Sequence, residues 1–197
     1  MSLDFTHLHV HTQYSLLDGL SKDEDILAAC KSYGMDSVAL TDHGTMYGVI
    51  HFYNTMRSNG VKPIIGMEAY YTAGSRLDKT KEFKTNHLLL LAKNLTGYHN
   101  LLKLASIAHL EGFYYKPRID WETLEKYHEG LIATSSCMQG EIPVLLRSGD
   151  VQKAEDRLRA FLDLFGDDYY IELQRHDGLE AELNPLNDQL LRLSRKF

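Results

Sequence analysis

Cysteine is scarce in this sequence: Cys30 and Cys137 are the two in 197 residues. They stand far apart, and Phe5–His11 begins without the basic stretch and apolar stretch of an export signal. A disulfide framework is therefore excluded as the organising principle, and a reducing cytoplasm is the expected setting. Long hydrophobic runs are missing too. None approaches the roughly 20 residues that cross a bilayer, so no membrane association is expected. Positive charge is also short, with 21 Lys and Arg against 27 Asp and Glu and a formal net charge of -6. A domain that grips nucleic acid mainly by bulk electrostatics shows the opposite balance, so any such contact here has to be local. There is no internal repeat or low-complexity tract. What remains is an ordinarily globular composition and enough chain for one domain with a sizeable core.

Short apolar or β-branched runs alternate with amphipathic patterns, the signature of βα units. Strands are expected near Phe5–His11, Ser37–Thr41, Pro63–Tyr71, His87–Ala92, Gly130–Ser135 and Tyr169–Leu173. The first helix has a capping-box pattern, Ser21 with Glu24 three residues on, then Ile26, Leu27, Ala29 and Cys30 at helical spacing before Gly34. Cys30 reads as core. Further helices are expected over Tyr47–Arg57, Tyr98–His109, Val151–Phe165 and Leu179–Phe197, and the lysine-rich stretch Arg76–Lys84 reads as a mobile, solvated loop. This order predicts an α/β fold, either a parallel barrel or an open doubly wound sheet. The series stops on a helix where a strand should come next, and a barrel lacking its last strand exposes an edge. The expectation is one domain over residues 1–197 that is a C-terminally truncated fragment of a longer chain.

The chemistry concentrates in "FTHLHVHTQYSLLDG", Phe5–Gly19. In a strand, residues two apart share a face, which puts His7, His9 and His11 on one side and Leu8 and Val10 on the other. Crowded buried imidazoles are costly unless something positive uses their lone pairs, and a divalent metal does so. Asp42 and His43 follow the second strand in "LTDHG", Glu68 follows a glycine in "GMEAY", and Cys137 follows the fifth strand in "TSSCMQGE". Functional groups collect at the C-terminal ends of parallel barrel strands, so these exits can converge. Each residue has a structural alternative: Asp42 as a helix cap, Glu68 as a surface carboxylate, Cys137 as a small buried hydrophobe. His87 opens "HLLLLA" and, in a parallel strand, would sit at the far end from the site. His51, His99, His109 and His128 fall on helical or loop patterns and read as ordinary. A mixed set of His, carboxylate and thiolate suits zinc, manganese or iron better than calcium or magnesium. More than four candidate ligands implies more than one ion, and clustered ions suit phosphoester hydrolysis.

"HLHVHTQYSLLDG", "LTDHG" and "IIGMEAYY" resemble the first three motifs of the polymerase and histidinol phosphatase (PHP) domain. "GVKPIIGMEAY", "HLLLLAKNLTGYHNLLKLAS", "EGFYYKPRID" and "EGLIATSSCMQGEIP" are similar, more specifically, to the N-terminal PHP domains of bacterial DNA polymerase III alpha subunits, over Phe5–Phe197. The resemblance implies a distorted seven-stranded TIM-like (β/α) barrel with up to three divalent metals at one end. Matched by position, it implies the ligands His9, His11, Asp18, His43, Glu68, His87 and Cys137, with catalysis through metal held by His9, His11 and His43. His7 and Asp42 are implied as residues that orient ligands. The family's last two ligands lie in an Asp-x-His motif on a strand after the helix that ends here, and no such strand follows in this sequence. The implied function is metal-dependent phosphodiester hydrolysis, a 3′–5′ exonuclease proofreading a DNA primer 3′ end, within a chain whose remainder polymerises and meets other replisome subunits. The alternatives are a non-catalytic structural or partner-docking module and a free-standing PHP phosphatase. Lys116 and Arg118, beside Tyr114 and Tyr115, are candidate substrate contacts, as are Arg175 and His176 in "LQRHDG".

Overall fold

A computed structural model describes residues 5–16, 18–80 and 84–197. Helix α1 (Asp23–Tyr33) leads into strand β1 (Ser37–Leu40), and α2 (Val49–Ser58) leads into the long strand β2 (Lys62–Thr72) and then β3 (Thr85–Ala92). After α3 (Leu95–Leu110) come β4 (Arg118–Ile119), α4 (Trp121–Tyr127), β5 (Leu131–Thr134), α5 (Glu141–Arg147), α6 (Val151–Phe165), β6 (Tyr169–Tyr170) and α7 (Glu180–Ser194). The helix expected over Val151–Phe165 matches α6 residue for residue. Strand β4 and helices α4 and α5 were not foreseen. Seven residues in each helix and two in the strand are too few to display a period.

The fold is mixed α/β, and among the described residues its sheet does not close. Six strands run in the order β1-β2-β3-β5-β6, with β4 attached to β2. β1 lies parallel to β2 and β6 parallel to β5, but β3 is antiparallel to both β2 and β5. The all-parallel expectation fails at β2–β3 because a parallel return needs a crossover, usually a helix, of a dozen or more residues. The described part of residues 73–84 contains no helix.

Four local expectations also need correction. Phe5–His11 is extended but forms no regular strand: it makes one parallel bridge, His7 to Val38, and Ala39 N–H and Thr41 N–H donate to the carbonyls of His7 and Val10. The amide of Val10 donates instead to Thr41 Oγ1 at 2.8 Å, so a side chain replaces a ladder partner. Leu8 is exposed and only Val10 packs on the core, so the second face is not a core face. The strand expected over Tyr169–Leu173 shortens to β6. The Ser21–Glu24 capping box is not formed: the N-cap is Lys22, without a side-chain bond, while Asp23 is buried with its Oδ2 2.6 Å from His51 Nδ1. Finally, Arg76 is buried rather than solvated and meets Glu111, Asp120 and Glu122 at 2.7, 3.2 and 2.8 Å; residues 81–83 of that expected loop lie outside the described residues.

Two apolar clusters hold the elements. One joins α1, β1 and α2 through Cys30, Val38, Leu40, Phe52 and Met56. The larger joins β2, β3 and β5 to α3 and α5–α7 through Met67, Leu88, Leu90, Leu104, Ile142, Phe161 and Leu190. Burying each such side chain contributes about 1.5–3 kcal/mol, which fixes the strands that carry the polar residues described next.

Candidate metal centre

Glu68 sits inside β2, paired with Leu89 of β3 and bridged on its other side to His43. Its side chain is 1% exposed, and four imidazoles crowd its two oxygens. His9 Nε2 and His87 Nδ1 lie 3.1 and 3.0 Å from Oε1, while His11 Nε2 and His43 Nδ1 lie 3.3 and 2.8 Å from Oε2. The rings of His11 and His43 stack at 4.1 Å, and Tyr70 stacks on His43 at 5.8 Å and meets His87 edge-on at 5.4 Å. Two overlapping triads result, His9–His11–Glu68 and His43–Glu68–His87, each with its donor atoms within 4.8 Å of one another.

Each ligand candidate is placed by a local device. Asp42 is buried and accepts from Thr12 N–H, Thr12 Oγ1 and Ser15 Oγ at 2.6, 2.8 and 2.9 Å, fixing the turn that follows His11. Ser15 Oγ in turn accepts His43 N–H at 3.1 Å and lies 3.2 Å from His11 Nδ1. Asp42 is thus an organiser of the loop and not a helix cap. After His43 the chain turns at Gly44, with φ +61° and its N–H donated to the Glu68 carbonyl. A Cβ there would stand 2.8 Å from Pro117 Cγ and 3.0 Å from the Tyr70 ring, so no larger residue fits. Asp18, half exposed, reaches His43 Nε2 at 2.8 Å. His87 is the third residue of β3, and because β3 is antiparallel its first residues lie beside the last residues of β2, with His87 opposite Tyr70. The antiparallel strand removes the geometric objection to His87. Cys137 Sγ lies 3.4 Å from His87 Nδ1, at the turn that closes on Gly140, where a Cβ would be 1.9 Å from the Ser135 carbonyl oxygen.

The electrostatics follow from this crowding. Burial alone would raise the Glu68 carboxyl, but its contacts with His11, His43, His87 and His9 drive it well below the usual carboxylate range. Burial would lower His9, yet Glu172 and Glu68 outweigh it and raise the imidazole to about 10. His43 is raised in the same way, with burial opposing and the carboxylates of Glu68 and Asp18 prevailing. Burial and the Glu68 charge push the Cys137 thiol up to about 12. The pocket therefore demands positive charge. Glu68 Oε2 and His43 Nδ1 are both buried and, despite their 2.8 Å separation, neither makes a hydrogen bond with proper geometry. Two buried polar atoms facing each other without a hydrogen bond, among further nitrogen, oxygen and sulfur ligand atoms, fit a divalent cation.

Several residues of the site were not foreseen. Glu172 bonds His9 Nδ1 at 2.7 Å, Ser136 Oγ donates to Glu68 Oε1 at 2.7 Å, and Gln174 Nε2 donates to Glu172 Oε1 at 2.7 Å. Glu172 and Gln174 alternate along the extended stretch after β6, a period-two signal of shared facing that the strand pattern carried. Others stand apart. His7 is exposed and touches the Phe5 ring, and no hydrogen bond among the described residues ties it to a ligand. Arg118 is 1% exposed, its guanidinium donating to the carbonyls of Gly112, Arg76 and Asp78, which leaves no face for substrate. Lys116 is half-buried, with Nζ donating to Tyr70 Oη at 3.3 Å. Arg175 and His176 are exposed beyond Gln174, whose Oε1 is 3.4 Å from His176 Nε2. Among the histidines read as ordinary, His109 donates from Nε2 to the Gly44 carbonyl oxygen at 3.0 Å, behind the His43 turn.

The family model of the PHP domain matches residues 7–176, which contain every ligand candidate above. The chain belongs to the PHP domain family. Two relatives are DNA polymerase III alpha subunits: that of Aquifex aeolicus is 47% identical over 100% of this chain and 18% of that protein, and that of Borreliella burgdorferi is 48% identical over 98% of this chain and 17% of that protein. The protein of the same name from Thermus aquaticus is 47% identical over 99% of this chain. This PHP chain thus spans less than a fifth of the length of these relatives. Among solved structures, an amidohydrolase from Chromobacterium violaceum overlays 53% of this chain and 33% of its own, at 20% identity and a TM-score of 0.39.

Proposed function

We propose that the pocket around Glu68 binds divalent metal, up to three ions of zinc, manganese or iron, and that the domain hydrolyses phosphodiesters as a 3′–5′ exonuclease within a bacterial replicative polymerase chain. The observation that carries this reading is the convergence of four imidazoles on one buried carboxylate whose Oε2 has no hydrogen-bond donor. His9, His11 and Glu68 would hold one ion, with His43, His87, Asp18 and Cys137 around its neighbours. When bound, such ions lower the pKa of an attacking water and stabilise a leaving oxygen. The chain's own groups do the rest: Asp18 orients His43, Tyr70 walls the pocket, and Lys116, bonded to Tyr70, is a local cation for a DNA phosphate.

The same reading makes residues 1–197 one PHP domain of a longer cytoplasmic polymerase, working on a primer 3′ end beside other replisome subunits, and makes the open sheet part of a seven-stranded barrel. The relatives support the first part. The approach of the N-terminal segment beside β1 to the segment after β6, at His9–Glu172, supports the second, because those are the two ends of the strand order. The test is digestion of a 5′-labelled single-stranded oligonucleotide by the chain with zinc or manganese, compared with His9→Ala and His11→Ala. Stepwise shortening from the 3′ end, lost in both variants, is expected. Metal bound by the chain without any cleavage would instead support a structural or partner-docking module, and turnover confined to a simple phosphomonoester would support a free-standing phosphatase.

A further inference from the structure

Glu172 follows β6, in a stretch that carries none of the ligand candidates, yet it reaches the centre. Its Oε1 is 2.7 Å from His9 Nδ1, and its Oε2 accepts the Thr134 hydroxyl at 2.5 Å. Gln174 Nε2 donates to the same Oε1 at 2.7 Å, and the backbone N–H of Glu172 donates to Ser135 Oγ at 2.9 Å. Gln174 Nε2 also lies 3.2 Å from His9 Nδ1; as both nitrogens are donors to one oxygen, they are neighbours and not partners. The carboxylate is therefore fixed from the β5 side and from its own extended segment before it meets the imidazole. An imidazole whose Nδ1–H is taken by a carboxylate presents Nε2 as a bare lone pair. His9 Nε2 is the atom that faces Glu68.

We propose that Glu172 is the positioning residue for His9, holding it in the Nδ1–H tautomer with Nε2 aimed into the pocket, and that through this bond metal loading is coupled to the docking of residues 171–174 against the N-terminal segment. This rests on the metal-centre reading. The coupling runs both ways: withdrawal of electron density through Nε2 makes Nδ1–H a better donor, so a cation at Nε2 tightens the bond to Glu172, and a firm bond to Glu172 prepares Nε2. Thr134 and Gln174 act one bond further out, by orienting the carboxylate.

The experiment has two arms, on the chain as it stands. In the metal-free arm, at alkaline pH where the raised His9 imidazole is neutral, nitrogen-15 NMR of the imidazoles assigns the His9 tautomer in wild type, Glu172→Gln, Glu172→Ala and Thr134→Val. The Nδ1–H form is expected in wild type and in Glu172→Gln, whose amide oxygen still accepts, and the Nε2–H form is expected to rise in Glu172→Ala. In the zinc arm, chelator competition is expected to show affinity falling in the order wild type, Glu172→Gln, Glu172→Ala, with a loss of about 10- to 100-fold for the alanine variant. Hydrogen exchange of residues 169–176 is expected to slow on adding zinc in wild type but not in Glu172→Ala. Should the alanine variant not fold, Thr134→Val carries the tautomer reading and Glu172→Gln the zinc-affinity and exchange readings, at smaller amplitude, and wild-type values in both overturn the proposal. An unchanged tautomer in Glu172→Ala, or equal zinc affinity and equal protection in the variants, overturns the proposal. A wild type that binds no zinc overturns the metal reading and the coupling, while the metal-free arm still decides whether Glu172 sets the tautomer.

Discussion

His87 Nδ1 lies 3.0 Å from Glu68 Oε1 because β3 runs antiparallel to β2. A hairpin connection brings the first residues of one strand beside the last residues of the other, and so places an imidazole at the end of the sheet where the loop after β1 delivers His43. Replacing His87 by Ala is expected to weaken zinc binding by at least about tenfold, the lower end of what loss of a mere orienting partner costs a metal site. Chelator competition checks this, and unchanged affinity would place His87 outside the centre.

Much of this was legible in the sequence. "HLHVH", "LTDHG" and "GMEAY" announce an imidazole and carboxylate set of which His9, His11 and His43 meet around Glu68, while His7 stands apart. Strand direction was not legible, because a parallel and an antiparallel strand of leucines carry the same apolar run, and the deciding information lay in the polar connection before β3. Arg118 misleads in the opposite way. Beside two tyrosines in a polar stretch it reads as a surface cation, whereas its burial depends on carbonyls of Arg76 and Asp78 that are distant in sequence. Glu172 was hidden inside a strand pattern, and only its partner His9, at the other end of the strand order, reveals its use.

Arg118 and Lys116 are separable by experiment. Arg118→Met strips donors from three carbonyls, each unpaired buried group costing about 1–3 kcal/mol, so a loss of about 3 kcal/mol or more is expected. At this chain length that lowers Tm by roughly 6 °C or more. Lys116→Ala is expected to leave Tm within about 2 °C, since half-exposed substitutions away from such features are nearly neutral, and to weaken oligonucleotide binding measured by fluorescence anisotropy.

Gly44→Ala puts a Cβ at φ +61° and 2.8 Å from Pro117 Cγ. Such a substitution destabilises by more than about 1 kcal/mol, so Tm is expected to fall by roughly 2–4 °C or more. Since His43 and Tyr70 border the same turn, zinc affinity is expected to fall with it. A variant with unchanged Tm would show that the backbone there relaxes freely.

The His51–Asp23 contact joins α1 to α2 and gives the fold a pH-dependent element. The hydrogen bond and charge of Asp23 raise the His51 imidazole above its ordinary value. A group raised on folding contributes fully below its unfolded pKa, about 6.5, and the contribution disappears as pH rises through the folded value. The Tm difference between wild type and His51→Gln is therefore expected to be larger at pH 5.5 than at pH 9. Equal differences at both pH values would show that the pair contributes no charge-dependent stability.

The central claim is that Glu68 and the imidazoles around it are a metal centre, and metal content tests it most directly. The chain and its Glu68→Gln variant are loaded with zinc, passed through gel filtration and measured by mass spectrometry of the eluted metal against protein, with circular dichroism confirming that both are folded. Stoichiometric zinc on the wild type and its loss from the variant is the predicted result. A folded wild type that elutes without metal, or a variant that retains as much as the wild type, would contradict the account.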